Sequence, residues 1–218
     1  MKQKGLFILF AVICCVQISY AHTINYALEQ SPLRDVSAFY FNLGFQHIIP
    51  QGLDHVLFII GICLINRKLK PIIWQASAFT LAHTIALALS MKGVIAAPPD
   101  IIEPIIAGSI IFVAVENLLL QQAKPWRLLL IFAFGLVHGM GFASSLNEIG
   151  LPRNTFYTSI IMFNLGVEVC QLLIICLIYL LLIKPLQHFT WHRKIIVYPL
   201  SIAIAIISSY WMIERLAG

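Results

Sequence analysis

G-F-Q-H-I-I-P-Q-G-L-D-H-V-L-F-I-I-G-I-C-L-I-N-R-K-L-K (44–70) decides the fold of this chain. Its apolar run, near 46–65, is about long enough to cross a hydrocarbon core as a helix, and it stops at the basic cluster Arg67, Lys68, Lys70. Inside that run stand His47, Asp54 and His55. Ionisable side chains at mid-bilayer are costly, roughly 2.5–3.5 kcal/mol each on the lenient insertion scale, so a chain that carries several there uses them. Pro50 and Gly52 interrupt the run, which predicts a broken or re-entrant start. Irregular backbone at that depth is tolerated where it lines a cavity.

The same pattern repeats outward. Five further apolar segments lie near 72–90, 101–120, 127–146, 156–183 and 195–213, separated by polar, Pro- and Gly-bearing connections. The expected fold is an all-α integral membrane protein, a single bundle of six transmembrane helices occupying residues 22–218. Of 218 residues, 60% are hydrophobic and 11% charged, with a mean hydropathy of +0.91. A soluble domain is about one quarter charged, so this composition excludes both a cytosolic enzyme and a disordered chain. Net charge is +5. The basic residues are scattered between apolar runs and form no stripe, so nucleic acid is not an expected partner; the lipid bilayer is.

Residues 1–21 read as a cleavable signal peptide. Lys2 and Lys4 precede a short apolar run from Leu6 to Val16, and Ser19 and Ala21 supply small residues before a cut. His22 would then be the mature N-terminus, where its amine and imidazole suit copper chelation. Orientation follows from the positive-inside rule. With the N-terminus outside, Arg67, Lys68, Lys70, Lys124, Arg127, Lys184, Arg193 and Lys194 are inner, against Arg34, Lys92, Arg153 and Arg215 outer, eight to four. Both mature termini are expected outside the cytosol, in a bacterial-type inner membrane. Trp74, Trp126, Trp191 and Trp211 fall near span ends as an interfacial belt.

Depth arithmetic gathers the histidines. His55, His83 and His138 lie ten or eleven residues from the cytosolic ends of their spans. At about 1.5 Å per residue that is roughly 15–17 Å, near the midplane. On the second span Ser77, Thr80 and Thr84 share a polar stripe with His83. On the fifth, Asn164, Glu168 and Gln171 share one face. On the fourth, Gly135, His138, Gly139 and Phe142 share a face whose glycines permit close helix approach. The sixth span has no central ionisable residue and is expected to face lipid. Imidazoles and carboxylates converging in an apolar setting suit a divalent first-row metal. The candidate ligands are His47, Asp54, His55, His83, His138 and Glu168. Glu103 near the outer boundary and Glu116 near the inner one, with Thr80, Asn164 and Gln171, would mark a pathway or support the ligands. His188 and His192, four apart in the last inner loop, suit a solvated face better than a metal hand-off. Cysteines are few and mostly within apolar runs, so no disulfide framework is expected.

These motifs resemble the HupE/UreJ hydrogenase/urease accessory membrane proteins, in the family's second branch. The stretches that carry the resemblance are 44–58, F-T-L-A-H-T (79–84), V-E-N-L (115–118), F-G-L-V-H-G-M-G-F-A (134–143) and F-N-L-G-V-E (163–168). The resemblance implies a six-helix metal permease, for nickel or cobalt, with His47, Asp54 and His55 as candidate ligands. The chain departs from the pattern at Cys170, where the family has Gly; a thiol beside Glu168 would favour copper or zinc. Its H-x6-D-H spacing also separates it from the nickel/cobalt transporters that carry H-x4-D-H. The leading expectation is a secondary permease or channel for a divalent transition-metal ion. The alternatives are an intramembrane zinc-dependent metalloenzyme, in which a His and carboxylate site activates water, and a haem carrier using His83 and His138.

Overall fold

A computed structural model describes residues 27–217; the expected signal segment and His22 lie outside the described residues. All regular structure among the described residues is helical. The helices are α1 (Leu33–Ile48), α2 (Leu53–Ile65), α3 (Leu69–Met91), α4 (Pro99–Leu119), α5 (Arg127–Ile149), α6 (Phe156–Ile178) and α7 (Tyr198–Ala217). Helix α6 continues through a π-helical turn, Tyr179–Ile183, to Leu186, and a second π-helical turn, Arg193–Val197, leads into α7. Five helical segments are long and apolar enough to cross a membrane. The pair α1–α2 makes a sixth if it counts as one span, and its halves meet at a bend of 69°. Large aliphatic side chains stand exposed on α3 to α7, Leu119, Leu129 and Leu181 among them. In a bundle of this apolarity that surface is the one lipid covers. This is a multi-pass membrane protein.

The interruption expected at Pro50 and Gly52 is present: residues 49–52 separate α1 from α2. The half before it differs from expectation. The first span is expected near 46–65, whereas α1 already begins at Leu33. Arg34 and Asp35 disguise the helix, and its 16 residues are too few to register as a span. One side of it nevertheless buries Val36, Tyr40, Gly44, His47 and Ile48. The Glu29 carbonyl accepts from the Asn154 amide, so this half begins at the end of the bundle where α5 stops and α6 starts. Helix α2 finishes at Asn66, which shares a cavity with Gln121 and Lys124 at the opposite end.

Two backbone-to-backbone approaches hold the site's walls. Gly135 and Gly139 of α5 lie against the carbonyls of Phe79 and His83 on α3, where any Cβ would collide with main chain. Gly44 of α1 and Gly166 of α6 interlock the same way, against the Phe163 and Phe41 carbonyls. Small residues at such crossings let helices pack without a hydrophobic driving force between them. Each pair carries a histidine to the same depth: His138 and His83 across α5–α3, and His47 on α1 beside α6. Helix α7 packs on α4 and buries only Ser201, Ile204 and Ser208.

Candidate metal centre

The break at 49–52 delivers two imidazoles at once. His47 ends α1 and His55 sits in the first turn of α2, with ring centroids 4.7 Å apart. His83 comes in from α3. One ligand atom from each of His47, His55 and His83 lies within 4.8 Å of the other two. His138 of α5 stands beside them, its ring centroid 5.1 Å from that of His55. All four side chains are buried, and the Nε2 atoms of all four lack a hydrogen-bond partner. An orphaned buried polar atom costs about 1–3 kcal/mol, so four at one place call for a shared partner.

The opposite edges of three rings are tied down. His55 Nδ1 is 3.1 Å from Asp54 Oδ1. His83 Nδ1 is 2.9 Å from Asn164 Oδ1, and the Asn164 amide is itself oriented by donating from Nδ2 to the Ile160 carbonyl at 2.9 Å. His138 Nδ1 is 2.9 Å from the Phe134 carbonyl. A carbonyl only accepts, so Nδ1 of His83 and of His138 must carry the proton. The lone pair then lies on Nε2. This is how proteins prepare imidazole for a metal ion: the second nitrogen's partner fixes tautomer and ring angle. Aromatic rings wall the cluster. Phe142 and Phe163 face His47 at centroid distances of 3.9 and 5.6 Å. Phe79 and Phe58 face His138 at 4.9 and 5.5 Å. Tetrahedral zinc–imidazole bonds of about 2.0–2.1 Å put ligand nitrogens roughly 3.3 Å apart, so small side-chain rotations close the triple on an ion. The donor set fits nickel, cobalt, zinc or copper.

The remaining candidates are dispersed. Asp54 adjoins the cluster as the partner of His55, not as one of its three converging ligand atoms. Glu168 is held elsewhere: Ser77 Oγ donates to it at 2.6 Å, Thr80 Oγ1 donates to its other oxygen, and Gln171 Nε2 donates to Thr80 at 3.1 Å. This second cluster lines a lateral groove of about 250 Å³ between α3 and α6, and Asn164 lines the same groove while holding His83. Cys170 is buried on α6 and contributes no atom to the converging triple. Glu103 is at the rim with Arg215, whose guanidinium also reaches within 4.0 Å of Asp54. Glu116 is committed to an ion pair at 3.0 Å with Arg127, both almost fully buried. An exit role for Glu116 requires that this pair open.

Three features were not read from the sequence. Arg127, expected among the inner-loop charges, is 2% exposed and its guanidinium faces Asn117 Oδ1 and the Gly61 carbonyl. Asn117 Nδ2 donates to that same Gly61 carbonyl at 2.9 Å, closing a polar knot between α2, α4 and α5. The third is the contact from Arg215 to Asp54, which joins the far end of α7 to the metal-site helix. The signal for the first was available: Arg127 lies eleven residues after Glu116, across a short loop, where two helices return side by side.

A family model described as HupE / UreJ protein matches residues 23–215. No curated protein and no solved structure matches the chain.

Proposed function

Because the chain belongs to the HupE/UreJ family, we propose that it is a secondary permease or channel for a divalent transition-metal ion of the nickel/cobalt type, in a bacterial-type inner membrane with both mature termini outside the cytosol. The observation that carries this reading is the convergence of His47, His55 and His83, with His138 alongside and every Nε2 unpartnered. The ion is cargo. Imidazole nitrogens replace its water, Asp54, Asn164 and the Phe134 carbonyl keep the rings aimed, and the phenylalanine walls keep bulk water out. A carrier must bind well enough to dehydrate the ion and weakly enough to let it go. Competition between protons and metal for the same lone pairs supplies a release step. Asp54, Glu103 and Arg215 form the polar route from the outer rim to His55, with the charge of Arg215 screened by both carboxylates.

Metal analysis and uptake into proteoliposomes test the proposal, with the intact protein beside His55→Ala and His83→Ala. Intact protein should take up metal, and each variant should lose both bound metal and uptake. Equal uptake in all three removes the site from the pathway.

One observation favours a second reading, an intramembrane zinc-dependent hydrolase. The groove holding Ser77, Thr80 and Glu168 opens sideways between α3 and α6, flanked by the exposed Leu81, Ile161 and Leu165, and Asn164 links it to His83. A lipid-borne substrate would reach the centre by such a route. Stoichiometric bound zinc with no uptake favours it over the permease.

A further inference from the structure

The end of the bundle opposite Glu29 and Asn154 holds a cavity of about 620 Å³, framed by the end of α2, the start of α3, the α4–α5 loop and Arg193. Its lining includes Arg67, Lys68, Lys124 and Arg193, with no carboxylate. Among the described residues none of these four cations takes part in an ion pair. All nine Asp and Glu of the chain lie within those residues. Glu116, the one acidic group near this end, is already spent on Arg127.

The cavity is built rather than incidental. Arg193 is anchored: Nη2 donates to the Asn117 and Leu120 carbonyls, both at 2.9 Å, and so caps the C-terminus of α4. Its Nε is buried and has no partner. Gln75, 6% exposed and also on the cavity wall, has an unpartnered side-chain oxygen; because amide ends exchange by rotation, it can present its NH2 instead. One flank is apolar and open to the membrane, where Trp74 and Leu128 stand 62% and 43% exposed. Four cations without counter-charge repel a metal ion. They attract a multivalent anion small enough to enter and able to accept several N–H donors.

We propose that this cavity binds a phosphate group, presented by the head group of an anionic phospholipid whose acyl chains lie along Trp74 and Leu128. Basic pockets between helices at the cytoplasmic surface take such head groups, each Lys or Arg adding about 1 kcal/mol. The inference needs only the membrane placement, so it stands or falls apart from the metal proposal.

The test uses the full chain in detergent, with its thermal midpoint and lipid adducts in native mass spectrometry followed during addition of phosphatidylglycerol, phosphatidylcholine or inorganic phosphate. Phosphatidylglycerol should bind and raise the midpoint, and phosphatidylcholine should do neither. The variant Arg67→Gln/Lys68→Gln/Lys124→Gln should lose affinity roughly a hundredfold. Its helical circular-dichroism spectrum and size-exclusion profile should match those of the intact protein, which reports that it is folded. Lys184→Gln/Lys194→Gln removes charge from outside the cavity lining and should bind as the intact protein does. Protection by inorganic phosphate alone, abolished in the cavity variant, keeps the phosphate site and identifies free anion as its source. Equal loss in both variants, or no loss in the cavity variant, overturns the site.

Discussion

His83 shows how one neighbour decides what a buried imidazole can do. Asn164 Oδ1 accepts the hydrogen bond from Nδ1–H, so the free lone pair on Nε2 points into the cluster. Replacing Asn164 by Ala should lower metal affinity about 10–100-fold, the usual cost of losing such a partner, with the fold retained; isothermal titration of the purified protein measures it, and an unchanged affinity removes Asn164 from the site. Arg127 behaves differently. Arg127→Met strands the Glu116 carboxylate in a buried setting, and breaking such a pair costs about 3–5 kcal/mol. The single variant should melt well below the intact protein, and adding Glu116→Gln should recover most of the loss. The four histidines were legible because a polar residue in an apolar run stands out at once. The burial of Arg127 is legible only through its spacing to Glu116 across the short α4–α5 loop, because a positive residue at a span boundary taken alone looks the same whether it faces water or another helix.

Helix α1 is an element that hydropathy hides. It is short, begins with Arg34 and Asp35, and joins its other half at a 69° bend, so no single window registers it. What holds it is shape: Gly44 and Gly166 bring α1 onto α6 and set the position of His47. Gly166→Ala forces a methyl against the Phe41 carbonyl and should cost about 1–3 kcal/mol, read as a lower thermal midpoint together with weaker metal binding. Gly108→Ala on α4, whose added methyl meets nothing within 4 Å, should change neither. The glycine face of α5 was readable from its four-residue spacing; its partner α3 was not, because spacing gives a face and not a neighbour. In the connection between α6 and α7, burial and the nearby Arg67 and Arg193 hold the His192 pKa below its ordinary value. The unfolded chain takes up that proton near pH 6.5, before the folded one does. Stability is therefore full above about pH 6.5 and is lost as pH falls through the lower folded value. His192→Gln should show a smaller drop in thermal midpoint between about pH 6.5 and 5 than the intact protein.

At the scale of the molecule, sequence arithmetic reached the all-helical membrane class and the gathering of His55, His83 and His138 at one level. Depth is one-dimensional, fixed by 1.5 Å per residue along each helix. Lateral placement is not, which is why Glu168 was grouped with the metal ligands although it lies with Ser77 and Thr80 in the groove between α3 and α6. Orientation is open to direct test: single cysteines at 121–125 and 187–192 should be labelled from the cytosolic side, and those at 147–153 from the other. On the proposed function the imidazoles of α1, α2, α3 and α5 share one ion. Metal-edge X-ray absorption of the protein loaded with zinc measures this most directly. One ion per chain is expected, with three or four imidazole nitrogens at about 2.0–2.1 Å, a shell lost in His55→Ala. A sulfur shell from Cys170, or stoichiometric metal that survives His55→Ala unchanged, would contradict it.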